Sequence, residues 1–139
     1  MGGLAFYGNH KHTLDAKNRL FIPAKFREGL GESFILYSPK DQNCLYAYNE
    51  ADWDDISKEV IETGDLDMQR YFFDDALSVE PDKQGRITIK AEFCKRVGLK
   101  KEVIVAGVGK RVEIWDAVER EQAMQKAEAR SNNFPKIHF

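Results

Sequence analysis

The chain is poor in the residues that build metal centres, disulfide scaffolds and membrane anchors. It has two cysteines in 139 residues, Cys44 and Cys94, far apart and without the close spacing of metal ligands. Neither a disulfide framework nor a zinc ribbon is indicated, and no metal or other cofactor is expected. No apolar run approaches the roughly 20 residues a spanning helix needs, and the N-terminus lacks a basic-then-apolar signal pattern. A soluble, intracellular protein with no membrane partner is the expectation. Four prolines and ten glycines are scattered, and no Pro/Gly/Ser-rich linker divides the chain. There is no serine–histidine arrangement, phosphate loop or HExxH motif, so neither catalysis nor a small-molecule substrate is indicated. With 42% hydrophobic and 12% aromatic residues, the chain can bury an interior of one compact domain, or of two small ones sharing a core. No function is read from residues 1–4.

Charge of one sign is also scarce overall, since the net charge is −2, but the average hides a pattern. Residues 8–27 carry Lys11, Lys17, Arg19, Lys25 and Arg27 against Asp15 alone. Residues 83–111 carry nine basic residues against Glu92 and Glu102, whereas residues 50–82 carry twelve acids against Lys58 and Arg70. Positive charge is concentrated in two segments, and the acids lie between them.

Those two basic segments are copies of one pattern. Sliding the chain by 67 positions lays LDAKNRLFIPAKF (residues 14–26) on PDKQGRITIKAEF (residues 81–93). Asp15 then meets Asp82, Arg19 meets Arg86, Ile22 meets Ile89, Ala24 meets Ala91, Phe26 meets Phe93 and Gly31 meets Gly98; Phe6 also falls on Phe73. Self-similarity at a fixed offset marks an internal repeat.

Each copy opens on a hairpin signal. Gly85 of DKQG can take the positive φ of a tight turn. Asn18 stands in its place in the first copy and is the side chain that best tolerates that conformation. Short helices are expected over Ala24–Leu30 and residues 91–97, ended by Gly31 and Gly98. Apolar strands follow at residues 33–37 and 102–107, with return strands at Cys44–Tyr48 and residues 112–116. Asn49 and Asp116 are placed to cap helices over EADWDDISKEVIE and AVEREQAMQKAEAR, the first with Trp53, Ile56 and Val60 at helical spacing. A further helix is expected over residues 67–76.

Two halves of this size cannot each enclose a core, and their exposed strand edges would invite pairing. The expected architecture is therefore α+β: residues 6–64 and 65–130 interleaved with pseudo-two-fold symmetry into one closed barrel, followed by a tail at 131–139.

LDAKNRLFIPAKFRE, DKQGRITIKAEF and VIVAGVGKRVEIWD, followed by a helix, resemble the MraZ family of bacterial transcriptional regulators. This family belongs to the wider AbrB-like group of swapped-hairpin DNA-binding barrels. The resemblance runs from Phe6 to Met124 and includes two D-x-x-x-R signatures in order. It implies a swapped-hairpin barrel in a cytoplasmic, nucleoid-associated protein. It also implies ring-shaped homo-oligomers that bind repeated promoter elements, upstream of the division and cell-wall gene cluster. By position, the first signature is Asp15, Lys17 and Arg19, with Asn18 where most members have glycine. The second is Asp82, Lys83, Gly85 and Arg86. Lys90 replaces Pro23 in the second copy.

The chemistry suits duplex DNA with direct repeats. A projecting two-stranded ribbon fits the major groove, and an arginine fork such as that of Arg19, or Arg86, can hold guanine bidentately. Lys17 projects into the groove with Arg19, while Lys11, Lys25 and Lys83 suit phosphates. His10 and His12 lie just before the first turn, where His12 is a candidate backbone neighbour. Asp15 and Asp82, with Asn18 and Gly85, read as turn-holding residues, because an acid facing DNA repels phosphate. Phe26, Phe93, Trp53 and Trp115 read as core or subunit contacts. The rival reading is a protein-interaction module, antitoxin-like or scaffolding, that uses the tail SNNFPKIHF.

Overall fold

The computed structural model describes residues 5–139; residues 1–4 lie outside it. In chain order the elements are β1 (Asn9–Thr13), β2 (Arg19–Phe21), α1 (Ala24–Leu30), β3 (Phe34–Tyr37), β4 (Cys44–Tyr48), α2 (Glu50–Glu62) and α3 (Leu66–Phe73). Then come β5 (Ala76–Val79), β6 (Arg86–Thr88), α4 (Ala91–Arg96), β7 (Glu102–Val108), β8 (Arg111–Asp116), α5 (Ala117–Arg130) and a 3-10 turn (Ser131–Asn133). No helix among the described residues is long and apolar enough to cross a membrane.

Six strands form one antiparallel sheet in the order β1-β7-β8-β4-β3-β5, and β2 pairs with β6 in a separate two-stranded ribbon. The order is symmetric under the 67-residue shift, which exchanges β1 with β5, β7 with β3, and β8 with β4. Strands of the first half therefore pair with strands of the second at β1–β7, β4–β8, β3–β5 and β2–β6. The return hairpins β3–β4 and β7–β8 form as expected. The opening hairpins do not. The strands on either side of each D-x-x-x-R turn join different sheets, and among the described residues the backbone-to-backbone link between them is the turn's closing bond, from the Asp15 N–H to the Arg19 carbonyl or from that of Asp82 to that of Arg86. Alternation predicts which face a strand buries but not which strand it pairs with. Among the described residues the six-stranded ladder ends at β1 and β5 and does not close.

Alternation sorts the sheet's side chains into two layers. Phe34, Leu36, Leu45, Ala47, Val103, Val105, Val112 and Ile114 face the ribbon and the short helices, packing on Leu20, Ile22, Phe26, Ile87, Ile89 and Phe93 in the main core. Tyr37 and Tyr48, with the half-buried Ile35 and Tyr46, face the other way, onto Trp53 of α2 and Phe72 and Phe73 of α3. Trp53 stacks on Phe72 with centroids 5.1 Å apart. The acidic segment thus lies on the side of the sheet remote from the ribbon. Its helices begin at side-chain caps, Asn49 accepting from the Asp52 N–H and Asp65 from the Met68 N–H.

The helix expected over residues 67–76 ends early, at Phe73. Asp75 leaves it to accept from Lys40 and Arg96, its carbonyl accepts from the Ser38 N–H, and Ala76 pairs with Tyr37 in β5. Phe6 and Phe73, although 67 residues apart, are not equivalent: Phe6 bridges to Gly109 and packs in the main core, while Phe73 joins the aromatic cluster.

Candidate nucleic-acid interface

Both signature turns are built by one aspartate. The Asp15 Oδ1 accepts from the backbone N–H groups of Lys17 (2.9 Å) and Arg19 (2.8 Å), and Oδ2 accepts from Arg19 Nε at 2.7 Å. Asp82 repeats the pattern with Gln84 N–H (2.9 Å), Arg86 N–H (2.9 Å) and Arg86 Nε (3.0 Å). The left-handed backbone falls where the sequence places it, at Asn18 (φ 60°) and Gly85 (φ 81°). Backbone donation from Arg19 and Arg86 holds the two carboxyls below their ordinary value, and the same residues' guanidinium groups add to it. Each turn is also tied to the other half: the Ile22 N–H donates to the Gly85 carbonyl (2.9 Å) and the Ile89 N–H to the Asn18 carbonyl (2.8 Å).

The ribbon between the turns has a buried side and an outward side. Leu20 and Ile87 point into the core, so Arg19, Phe21, Arg86 and Thr88 point outward. Arg19 lies opposite Thr88, and Phe21 opposite Arg86. The two arginines are therefore diagonal neighbours, about 7–8 Å apart. Each commits Nε to its aspartate and has no recorded hydrogen bond from its Nη groups among the described residues. The aspartates fix the arginines and do not consume them.

The other candidates divide between two faces. Lys17 and Lys83 are exposed at the turn tips. His12 lies on the ribbon side of β1, its ring 5.1 Å from Phe21, and His10 is 5.4 Å from Phe26. Burial lowers the pKa of His12, and neighbouring His10 lowers it further. Lys11, between them, points to the opposite side of the sheet, where it lines a groove with Glu102, Ile104 and α5. Lys25 donates to the Tyr7 hydroxyl (2.6 Å) and lies over that ring. Lys11 thus faces away from the ribbon, and Lys25 is engaged by Tyr7. Phe26, Phe93 and Trp53 are buried, and Trp115 donates its indole N–H to Glu113. Burial pushes the Cys44 thiol up to about 12 and raises Cys94 as well, which leaves both thiols protonated and inert at neutral pH.

Two residues of this surface were not singled out from the sequence. Phe21 occupies the outward side between His12 and Arg86, and the guanidinium of Arg27 lies 5.5 Å from its ring. Arg27 Nε donates to the Ile22 carbonyl at 2.8 Å. In the 67-residue register Arg27 aligns with Cys94, just as Asn18 aligns with Gly85, and this departure from the repeat is the one signal the sequence carries for it.

A family model described as "MraZ protein, putative antitoxin-like" matches residues 5–68 and again residues 72–136. The chain belongs to the MraZ family. The two matches in this MraZ-family chain begin 67 residues apart, which is the offset of the repeat. Proteins named transcriptional regulator MraZ are similar to it along most of its length. That of Acetivibrio thermocellus is 47% identical over 80% of this chain and 80% of its own. Those of Pelotomaculum thermopropionicum and Alkaliphilus oremlandii are 44% and 43% identical, covering 79% and 84% of this chain and 79% and 85% of theirs.

Proposed function

We propose that this chain is a sequence-specific DNA-binding transcriptional regulator that reads direct repeats in promoter DNA with the β2–β6 ribbon and its two turns. The observation that carries the reading is the outward pair Arg19 and Arg86, each aimed by an aspartate, on one face of a two-stranded ribbon. Such a ribbon fits the major groove, and the outer edge of each guanidinium is positioned to take guanine O6 and N7. Lys17 and Lys83 at the tips, with His12 beside them, suit phosphates; Lys11 lies on the opposite face of the sheet and Lys25 is engaged by Tyr7, and neither is given a contact in this reading. Placing the acidic α2 and α3 behind the sheet keeps them away from the phosphates. The symmetric pairing of the two halves supports reading residues 6–64 and 65–130 as one interleaved unit of the swapped-hairpin barrel type. The family supports a ring-like homo-oligomer, located in the cytoplasm on the nucleoid and acting on the division and cell-wall cluster. Several protomers on spaced repeats would raise apparent affinity by about 10²-fold or more where the geometry matches, which a net charge of −2 would otherwise leave low.

Mobility shifts on direct-repeat duplexes test this. Arg19→Ala should abolish discrimination between the cognate repeat and a scrambled one. Lys83→Ala should weaken both alike and flatten the salt dependence. Equal binding of all three proteins to both duplexes would refute the ribbon as the reader.

A second reading rests on the exposed apolar tail. Phe134, Ile137 and Phe139 lie open to solvent after α5, which suits a protein-interaction role of the antitoxin-like kind named in the family description. Removing residues 131–139 leaves DNA binding intact under the first reading and abolishes partner capture under the second.

A further inference from the structure

The ribbon face is two-fold symmetric in its arginines but not in their surroundings, and the differences are grouped. At positions 67 apart, Phe21 is matched by Thr88, His12 by Val79 and Arg27 by Cys94. The larger or basic member of every pair lies beside the second turn. Phe21 is opposite Arg86, His12 packs on Phe21, and Arg27 lies against Gly85. A Cβ added to Gly85 would come within 2.9 Å of Arg27 Cζ. Gly85 is buried although it sits in a turn, and Arg27 is the side chain found against it. Cys94 holds the equivalent position in the other half, and its Sγ donates to the Ile89 carbonyl as Arg27 Nε does to that of Ile22. A bare turn faces a large cation in one half; the other half has a turn residue with a side chain and, at the equivalent helix position, a small thiol.

Arg27 forms no ion pair among the described residues. Yet Glu28, Glu32, Glu80 and Asp82 line an open cleft of about 630 Å³ with it. Its Nε is committed to Ile22, and its Nη groups have no recorded partner among the described residues. The carboxylates would repel a phosphate on the cleft side, which leaves the side of Phe21 and His12 for an anion.

Resting on the DNA-binding reading above, we propose that Arg27 is a phosphate-contacting residue of the second turn, supplied by the first repeat, which gives the otherwise symmetric ribbon a direction on DNA. With Nε engaged by the Ile22 carbonyl, Arg27 has its Nη groups left to offer and suits a backbone oxygen better than a base edge. One flank of the ribbon then carries an additional phosphate clamp bounded by acids. The other flank has Cys94 and Lys95 where the first has Arg27 and Glu28. A protein with these unlike flanks binds an asymmetric element in one orientation.

The test starts from a random duplex pool enriched on the wild-type full chain, followed by salt titrations of the enriched duplex. Arg27→Gln should weaken binding about tenfold, alike on the enriched and scrambled duplexes, and lower the salt slope by about 0.9 per bound protomer. Arg27→Lys should restore most of the affinity and slope, because a phosphate needs charge and not a fork. Wild-type affinity and slope for Arg27→Gln would overturn the inference while leaving the DNA reading standing. So would equal losses for both variants accompanied by equal drops in urea midpoint, since Arg27 would then only brace the turn. If the wild type enriches no duplex at all, the DNA reading falls and this inference with it.

Discussion

The fit of Arg27 against Gly85 can be tested by exchanging the two halves' solutions. Gly85→Asn should be tolerated by the backbone, since Asn18 holds φ 60° in the matching turn. Its cost arises elsewhere. The new Cβ meets the far end of a flexible side chain, so the guanidinium swings away and the bond from Arg27 Nε to the Ile22 carbonyl is lost. One part-buried hydrogen bond contributes about 0.5–1.5 kcal/mol, and a few tenths more follow from filling the space, giving about 1–2 kcal/mol. Arg27→Cys alone should lose the same bond at similar cost. In the double variant, Gly85→Asn meets a small thiol in place of the guanidinium, so its own cost should fall to a few tenths. The double variant should therefore be about as stable as Arg27→Cys, with a coupling of about 1 kcal/mol. Urea unfolding of the four proteins at one protein concentration measures this, since association would otherwise shift the midpoints. Effects that add to within about 0.3–0.5 kcal/mol would refute the contact as the cause.

Two other groups give independent predictions. Asp75 is 4% exposed and takes ion pairs from Lys40 and from Arg96, the latter at 3.1 Å, so Asp75→Ala leaves two cations facing a carboxylate that is gone. Urea unfolding should show a loss of about 3 kcal/mol; a change below about 1 kcal/mol would show that solvent already screens the group. Acid should loosen the turns. The folded-state pKa values of Asp15 and Asp82 lie below the ordinary 3.8. The stability they contribute is thus complete above about pH 4 and is lost as pH falls through the lowered values. A series of urea midpoints from pH 6 to pH 2.5 should decline more gently in an Asp15→Asn, Asp82→Asn protein than in wild type; parallel curves would assign the acid sensitivity to other carboxylates.

What the sequence made legible was local. Asn18 and Gly85 announce left-handed turns because few other residues accept that backbone, and Asn49 and Asp116 announce helix starts because their side chains replace missing acceptors. Partnership was harder. Nothing in NHKHT or ALSV distinguishes β1 paired with β7 from β1 paired with β2, since both bury the same face. Asp75 is likewise one acid in the run DDA until the fold brings Lys40 and Arg96 to it from 35 and 21 positions away. Lys11 shows the same limit from the other side. Proximity in sequence placed it with His12, but the pleat turns it to the opposite face. Arg27 escaped notice because an arginine on a short basic helix reads as solvated until its backbone acceptor and the bare Gly85 are seen together.

The sheet separates what the two copies kept alike from what they changed. On the ribbon side, Asp15 and Asp82 bind Arg19 and Arg86 through matching sets of hydrogen bonds. On the far side, the partners of α2 have been rewritten in α5: Trp53 corresponds to Arg120, Ile56 to Ala123 and Val60 to Ala127. α2 buries Trp53 and Val60, whereas α5 buries no residue. α5 therefore depends on strong helix formers and on Asp116, which accepts from the Val118, Glu119 and Lys100 N–H groups. A helix held by its cap and intrinsic propensity opens at lower free energy than one held by an aromatic cluster. The looser helix flanks the groove that Lys11 lines, beside β1, which is an edge strand among the described residues, so structural freedom is concentrated on the face turned away from the ribbon. The ribbon side instead carries two turns in which each aspartate accepts three hydrogen bonds of 2.7–3.0 Å.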